Sequence, residues 1–276
     1  MLKSDFPKVM GIINITPDSF YSESRRLTIN EFISGFERMV EDGVDIVDIG
    51  ACSTRPGSVS VSEEEEWMLL KPAIEVVSKR FSGSLFSVDT FRAEIVERVY
   101  DIAGNFIVND ISAGEDDSEM LPLVAKLGLP YIAMHKRGTP QTMQSLIDYD
   151  DIVQDIRRYF EKFISKAKAL DINDLIIDPG FGFAKTIEQN YSLLNSLRSF
   201  KFNNERGEEY PLLVGLSRKG MIWKLLSITP EEALPATTAL NLQALLNGAD
   251  ILRVHDVKEA KQVIAIYKEL KRESFR

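Results

Sequence analysis

Eight short aliphatic runs, each followed by a stretch with helical periodicity, constrain this chain more than any other feature. The runs lie at about residues 8–14, 44–49, 84–88, 106–109, 130–134, 174–177, 212–216 and 251–254. The helical patterns between and after them cover about 30–42, 62–80, 92–103, 118–127, 150–170, 186–198, 230–247 and 256–272. Strict strand–helix alternation implies parallel strands joined by helical crossovers. The runs are rich in Val, Ile and Leu, as strands buried on both faces should be. Eight of each predicts a single (β/α)8 barrel, the TIM-barrel architecture, and 276 residues is close to the typical size of one. No shift in composition marks a second domain, so residues 1–276 are expected to form one.

The strands end in polar residues. MGIIN ends at Asn14, LFSVD at Asp89, FIVND at Asn109 and Asp110, and ILRVH at Arg253 and His255. Two further runs, DPGFGF from Asp178 to Phe183 and GLSRK from Gly215 to Lys219, each place one charge where a strand should stop. In a parallel barrel these ends converge on one mouth, where such folds build their sites. The connections after strands 1 and 2, ITPDSFYSESRRLT and ACSTRPGSVSVS, are long and polar. That suits functional lids on the same face, although Pro17 and Pro56 could simply punctuate turns. Thr229-Pro230-Glu231-Glu232 reads as a capping box. The run Glu63–Glu66 complements the dipole of a helix first turn. The polar stretch 203–210 reads as a solvated connection at the opposite end of the barrel.

Composition narrows the function classes. The formal net charge of -9 argues against nucleic acid or an anionic membrane as partner. It does not exclude an anionic substrate, which answers to a few local cations. Cys52 is the single cysteine, so no internal disulfide forms, which suits a cytoplasmic setting. The opening MLKSDFPKVM lacks the apolar core of a signal peptide, and no run approaches the ~20 apolar residues of a membrane span.

In order, GIINITPDSF (11–20), STRPGS (53–58), SVDTF (87–91), NDIS (109–112), MHKRGTPQTMQ (134–144), DPGFGF (178–183), GLSRKG (215–220) and LRVHDV (252–257) cover nearly the whole chain. With these runs the sequence resembles the dihydropteroate synthases, pterin-binding barrels of folate biosynthesis. The resemblance implies a cytoplasmic, commonly dimeric enzyme. It would join 6-hydroxymethyl-7,8-dihydropterin pyrophosphate to p-aminobenzoate, giving 7,8-dihydropteroate and pyrophosphate. A pterin-dependent methyltransferase or a non-catalytic pterin-binding barrel is the alternative. Neither has a use for the Ser-Thr-Arg-Pro-Gly and Ser-Arg-Lys runs together with Asn14, Arg253 and His255.

The resemblance also implies roles. A pterin presents a ring N–H beside an amine, and a carboxylate at Asp178 accepts both. Asp89 and Asn109 would read more of the pterin edge. Lys219 would donate to the ring carbonyl, and Arg253 would lie on the ring face and still reach phosphate. Asn14, Arg55, Arg253 and His255 would hold the pyrophosphate, with Mg2+ on Asn14. Thr54, Pro56, Phe183, Ser217 and Lys219 would hold p-aminobenzoate, and Asp18 and Arg55 would couple the two long loops. Asp89, Lys219 and Arg253 would be catalytic, without a side-chain nucleophile. Asp89 could instead cap the third helix, Asp256 can cap the last, Phe183 could be rim packing, and His135 reads as mainly structural. The chain departs from the family pattern at Ala51-Cys52, Lys136, Ala184 and Gly220. No residue added beside Phe183 or within 53–57 narrows the benzoate pocket, so sulfonamides should compete there.

Overall fold

A computed structural model of the protein describes residues 7–15, 24–51, 61–139 and 141–273. Its strands are β1 (Lys8–Asn14), β2 (Ile46–Gly50), β3 (Phe86–Asp89), β4 (Ile107–Asp110), β5 (Tyr131–Met134), β6 (Leu175–Asp178), β7 (Leu213–Val214) and β8 (Ile251–Val254). The helices are α1 (Ser24–Glu41), α2 (Glu63–Arg80), α3 (Ala93–Ala103), α4 (Met120–Leu127), α5 (Ile152–Ala169), α6 (Ile187–Asn195), α7 (Gly220–Leu226), α8 (Leu234–Leu246) and α9 (Val257–Glu273). The strands form one parallel sheet in the order β6-β5-β4-β3-β2-β1-β8-β7. A single bridge between Ile177 and Leu212 joins its ends, so the expected (β/α)8 barrel is formed and nearly closed.

Four local departures stand out, and the first has a physical reason in this stretch of chain. The run at 212–216 yields only Leu213–Val214 as strand. Pro211 has no N–H, and the Leu212 N–H is taken by the Asp250 carboxylate at 2.7 Å. The helix expected at 30–42 starts at Ser24, so the Arg25-Arg26-Leu27 stretch belongs to α1 and not to the loop before it. The segment expected as one helix over 230–247 opens with a 3-10 turn, Glu231–Ala233, before α8. Its cap is half realised, as the Thr229 N–H donates to Glu232 at 2.8 Å. The short helix α7 was not expected at all. By contrast, Ser62 and Glu65 close a full capping box on α2, as do Thr186 and Gln189 on α6.

Alternation along the strands explains both the core and the site. Met10, Ile46, Ile107, Ile132, Ile176, Leu213 and Ile251 pack together inside the barrel, with Leu85 against them. Burying each such side chain is worth roughly 1.5–3 kcal/mol, and together they plug the lower barrel. Two residues further along each strand, the same inward face carries Ile12, Asp48, Ser87, Asn109, Met134, Asp178, Gly215 and Arg253, most of them polar. The barrel is therefore apolar below and polar above. The outward strand residues, such as Val47, Val88, Val108, Ala133 and Ile177, join the core under the helices.

Candidate active site

Strand register brings the polar residues side by side. Asn14 pairs with Gly50, Gly50 with Asp89, and Asp89 with Asn109 around the mouth. Gly50 keeps this row open: a Cβ there would lie 3.3 Å from both Asn14 Oδ1 and Asp89 Cβ. One layer down, Asp48 pairs with Ser87. Asp48 is fully buried and receives donors from three other strands. Ser87 donates to Oδ1 at 2.5 Å, and Asn109 Nδ2 approaches both oxygens at 3.1 and 3.2 Å. Arg253 donates to Oδ2 through Nε at 2.8 Å, while its Nη2 reaches Asp89 at 2.7 Å.

This network sets the charges. Burial works against the Arg253 guanidinium, but Asp48 and Asp89 outweigh it and keep it charged beyond its ordinary range. Burial raises the Asp89 carboxyl to about 7; Arg253 lowers it and Asp48 raises it further. Asp89 does not cap α3. The first α3 amide, Ala93 N–H, instead donates to Asp117 Oδ2 at 2.7 Å.

The run after β6 forms a braced loop. Asp178 Oδ1 accepts the Gly180 N–H at 2.8 Å, which fixes the carboxylate. Gly180 has φ 73°, and a Cβ on it would sit 1.9 Å from the His135 carbonyl oxygen, so only glycine fits. Buried Lys185 donates to the carbonyls of Gly180 and Phe183 at 2.8 and 2.9 Å and meets His135 Nδ1 at 3.2 Å. Asn190 accepts the Gly182 N–H at 2.7 Å, and the Tyr149 hydroxyl donates to Ala184 O at 3.1 Å. Burial, and after it Lys185, pushes His135 well below its usual pKa, in keeping with a structural role. Ala184 has φ 49°, a left-handed conformation that favours glycine. Lys136 pairs with Asp116 at 2.5 Å, tying the loops after β4 and β5.

Lys219 completes the mouth. Its Nζ donates to the Phe181 carbonyl and lies 5.1 Å from the centre of the Phe183 ring. Its residue surface is only half-buried, yet the ammonium is sunk in the mouth, and that desolvation lowers its pKa to about 8 against the pull of Asp178. Burial likewise raises Asp178, while Lys219 opposes the rise. On the β7–β8 side, Ser217 Oγ lies 3.0 Å from His255 Nδ1. The Asp256 carboxylate, expected as a helix cap, accepts from Arg218 at 3.0 and 2.6 Å.

Of the residues singled out in the sequence, Asn14, Asp89, Asn109, Asp178, Phe183, Ser217, Lys219, Arg253 and His255 all stand at the carboxyl ends of strands or in the turns after them. Asp18, Thr54, Arg55 and Pro56 lie outside the described residues. Asp48, Ser87, Lys185 and Arg218 were missed. The signal for Asp48 was present: it lies two residues after the inward Ile46 in IVDIG.

An apolar barrel interior thus lies below a polar mouth that carries buried carboxylates, a sunken Lys219 and a paired Arg253. The chain belongs to the pterin-binding enzyme family, whose profile matches residues 10–255. It is 39% identical over 262 residues to the dihydropteroate synthase of Escherichia coli strain K12, covering 94% of this chain and 90% of that protein. The crystal structure of the Yersinia pestis dihydropteroate synthase with a sulfonamide drug superposes with a TM-score of 0.88 at 38% identity, covering 98% of this chain and 96% of that one. The Burkholderia cenocepacia dihydropteroate synthase complexed with 7,8-dihydropteroate gives a TM-score of 0.87 at 32% identity, covering 99% and 94%.

Proposed function

We infer that this chain works as a dihydropteroate synthase, joining 6-hydroxymethyl-7,8-dihydropterin pyrophosphate to p-aminobenzoate with release of pyrophosphate. The observation that carries the reading is the Asp48–Arg253–Asp89 network facing the Asp178–Lys219 side of one barrel mouth. Asp178 accepts from the pterin ring N–H and its neighbouring amine, and Asp89 and Asn109 take further positions on that edge. Lys219 donates to the ring carbonyl. Arg253, fixed from below by Asp48, presents its guanidinium to the ring face and to the pyrophosphate.

The C–O bond to pyrophosphate breaks, the arylamine nitrogen attacks the exposed methylene, and the amine then loses a proton. No side-chain nucleophile takes part. The residues orient the two substrates, and Arg253 and His255 neutralise the leaving charge. Phe183, Ser217 and Lys219 line the p-aminobenzoate side, with Thr54 and Pro56; Asp18 and Arg55 couple the long loops to the pyrophosphate.

Mg2+ fits this donor set. Among the described residues no group of three or more His, Cys, Asp or Glu could hold a metal unaided. Asn14, an exposed residue at the mouth, offers one amide oxygen. Mg2+ bound mainly by substrate phosphates needs little more than that from protein. Held by Asn14, it would neutralise charge on the departing pyrophosphate.

A homodimer in the cytoplasm, with residues 1–276 as one domain, accords with the same family. No helix among the described residues is long and apolar enough to cross a membrane. The test is direct: purified protein with pterin pyrophosphate, Mg2+ and p-aminobenzoate should release pyrophosphate in step with dihydropteroate. A folded protein that releases none would overturn the reading.

A further inference from the structure

Two neighbouring contacts staple the turn after β7 to the turn after β8. Ser217 Oγ meets His255 Nδ1 at 3.0 Å and also accepts the His255 N–H at 3.3 Å. One residue on, Arg218 clasps Asp256 through two parallel bonds, Nε to Oδ2 at 3.0 Å and Nη2 to Oδ1 at 2.6 Å. Arg218 holds this pose at φ 55°, a left-handed conformation that disfavours a non-glycine residue. Its N–H approaches Thr237 Oγ1 at 3.3 Å. A strained residue over-determined by its surroundings marks a place where geometry matters. The two side chains are 30% and 17% exposed, so water screens the pair and its worth to overall stability is modest.

The pair joins turns assigned to opposite ends of one substrate. Lys219, next to Arg218, serves the pterin. His255, just before Asp256, serves the pyrophosphate, and Arg253 reaches it from the ring face. We propose that the Arg218–Asp256 pair is a positioning clamp that sets the spacing between the pterin and pyrophosphate subsites. The inference rests on the dihydropteroate synthase reading. Neither residue is assigned a substrate contact in that reading. Each subsite can bind its own half of the substrate without the clamp. The linked molecule gains from both subsites only when they are held in register.

The test uses the full chain with Arg218→Gly, Asp256→Asn, and both together. Glycine accepts the positive φ freely, so Arg218→Gly removes the guanidinium and relieves the strain at once. Calorimetry measures three probes: 6-hydroxymethylpterin alone, inorganic pyrophosphate with Mg2+, and the linked pterin pyrophosphate. Each half should bind within about two-fold of wild type, while the linked substrate weakens about ten-fold in either single variant and no further in the double. KM for pterin pyrophosphate should rise with it. Exchanging the charges, Arg218→Asp with Asp256→Arg, should restore most of the lost affinity, since Asp tolerates the left-handed region.

Parallel weakening of all three probes, additive losses in the double variant, or unchanged binding of the linked substrate would each overturn the clamp. So would a collapse of Tm in both single variants, which would assign the pair to the fold. Wild-type protein that binds no pterin pyrophosphate would refute the functional reading and the clamp with it. Normal wild-type binding with unaffected variants would refute the clamp alone.

Discussion

Replacing Asp48 by Asn tests the network under the site. All four groups around the carboxylate are donors: Ser87 Oγ, Asn109 Nδ2, and Arg253 Nε and Nη2. An asparagine must turn its own NH2 toward at least one of them. The least costly choice points it at Ser87, whose hydroxyl can reverse and accept, but it then still faces Asn109 Nδ2. Breaking a buried ion pair by removing one partner costs about 3–5 kcal/mol. Arg253 keeps Asp89 at 2.7 Å, and its side chain is 22% exposed. The lower end of that range applies, about 3 kcal/mol.

A second effect has a definite sign. Asp48 pushes the Asp89 pKa upward, so its neutral replacement should let the Asp89 value fall from about 7. Urea unfolding followed by the fluorescence of Trp67 and Trp223 measures the first effect. The acid limb of pterin binding measures the second, and it should move to lower pH. A stability change below about 0.5 kcal/mol, which is the range of ordinary surface substitutions, together with an unmoved acid limb, would refute the account of Asp48 as the hub.

Four further outcomes follow from the same geometry. The kcat/KM for pterin pyrophosphate should be bell-shaped, falling below about pH 7 as Asp89 protonates and above about pH 8 as Lys219 loses its charge; a flat profile from pH 6 to 9 counts against both assignments. Asp178→Asn should fold normally yet bind pterin about ten-fold or more weakly, because charge-assisted bonds are worth ~1.5–3 kcal/mol; wild-type affinity in calorimetry would remove Asp178 from the site. Gly180→Ala should destabilise strongly in thermal melts, since its Cβ would lie 1.9 Å from the His135 carbonyl; a Tm within a degree of wild type contradicts that contact. Sulfamethoxazole should bind more tightly with pterin and pyrophosphate present, and excess p-aminobenzoate should displace it; equal calorimetric affinity in both conditions argues against ordered assembly of the pocket.

Short continuous aliphatic runs and chain order are local properties, and they were legible in the residues alone. They specify strands buried on both faces, parallel pairing through helical crossovers, and polar groups at the strand ends. Asn14, Asp89, Asn109, Asp178, Lys219 and Arg253 could be named in this way because each sits where an aliphatic run stops. The capping boxes at Ser62 and Thr186 are equally local but were not read, and the one expected at Thr229 is half formed. Helix α7 escaped because seven residues, GMIWKLL, span two turns and give too short a window for periodicity. Strand β7 shrank because its hydrogen bonds are contested by Asp250, a residue 38 positions away.

The wiring beneath the site is a tertiary matter. Asp48 and Arg253 are 205 residues apart, and nothing in either segment encodes the other. Their contact exists because closing the barrel sets the register of β1 against both β2 and β8, which turns the two side chains toward one another inside a space that water has left. The pKa values follow from that closure, since burial is the largest influence on Asp89, Lys219 and Arg253 alike. Residue type and spacing specify which groups reach the mouth of this barrel. Which of them share a charge, and at what pH each keeps it, depends on desolvation and on partners that only the closed barrel brings together.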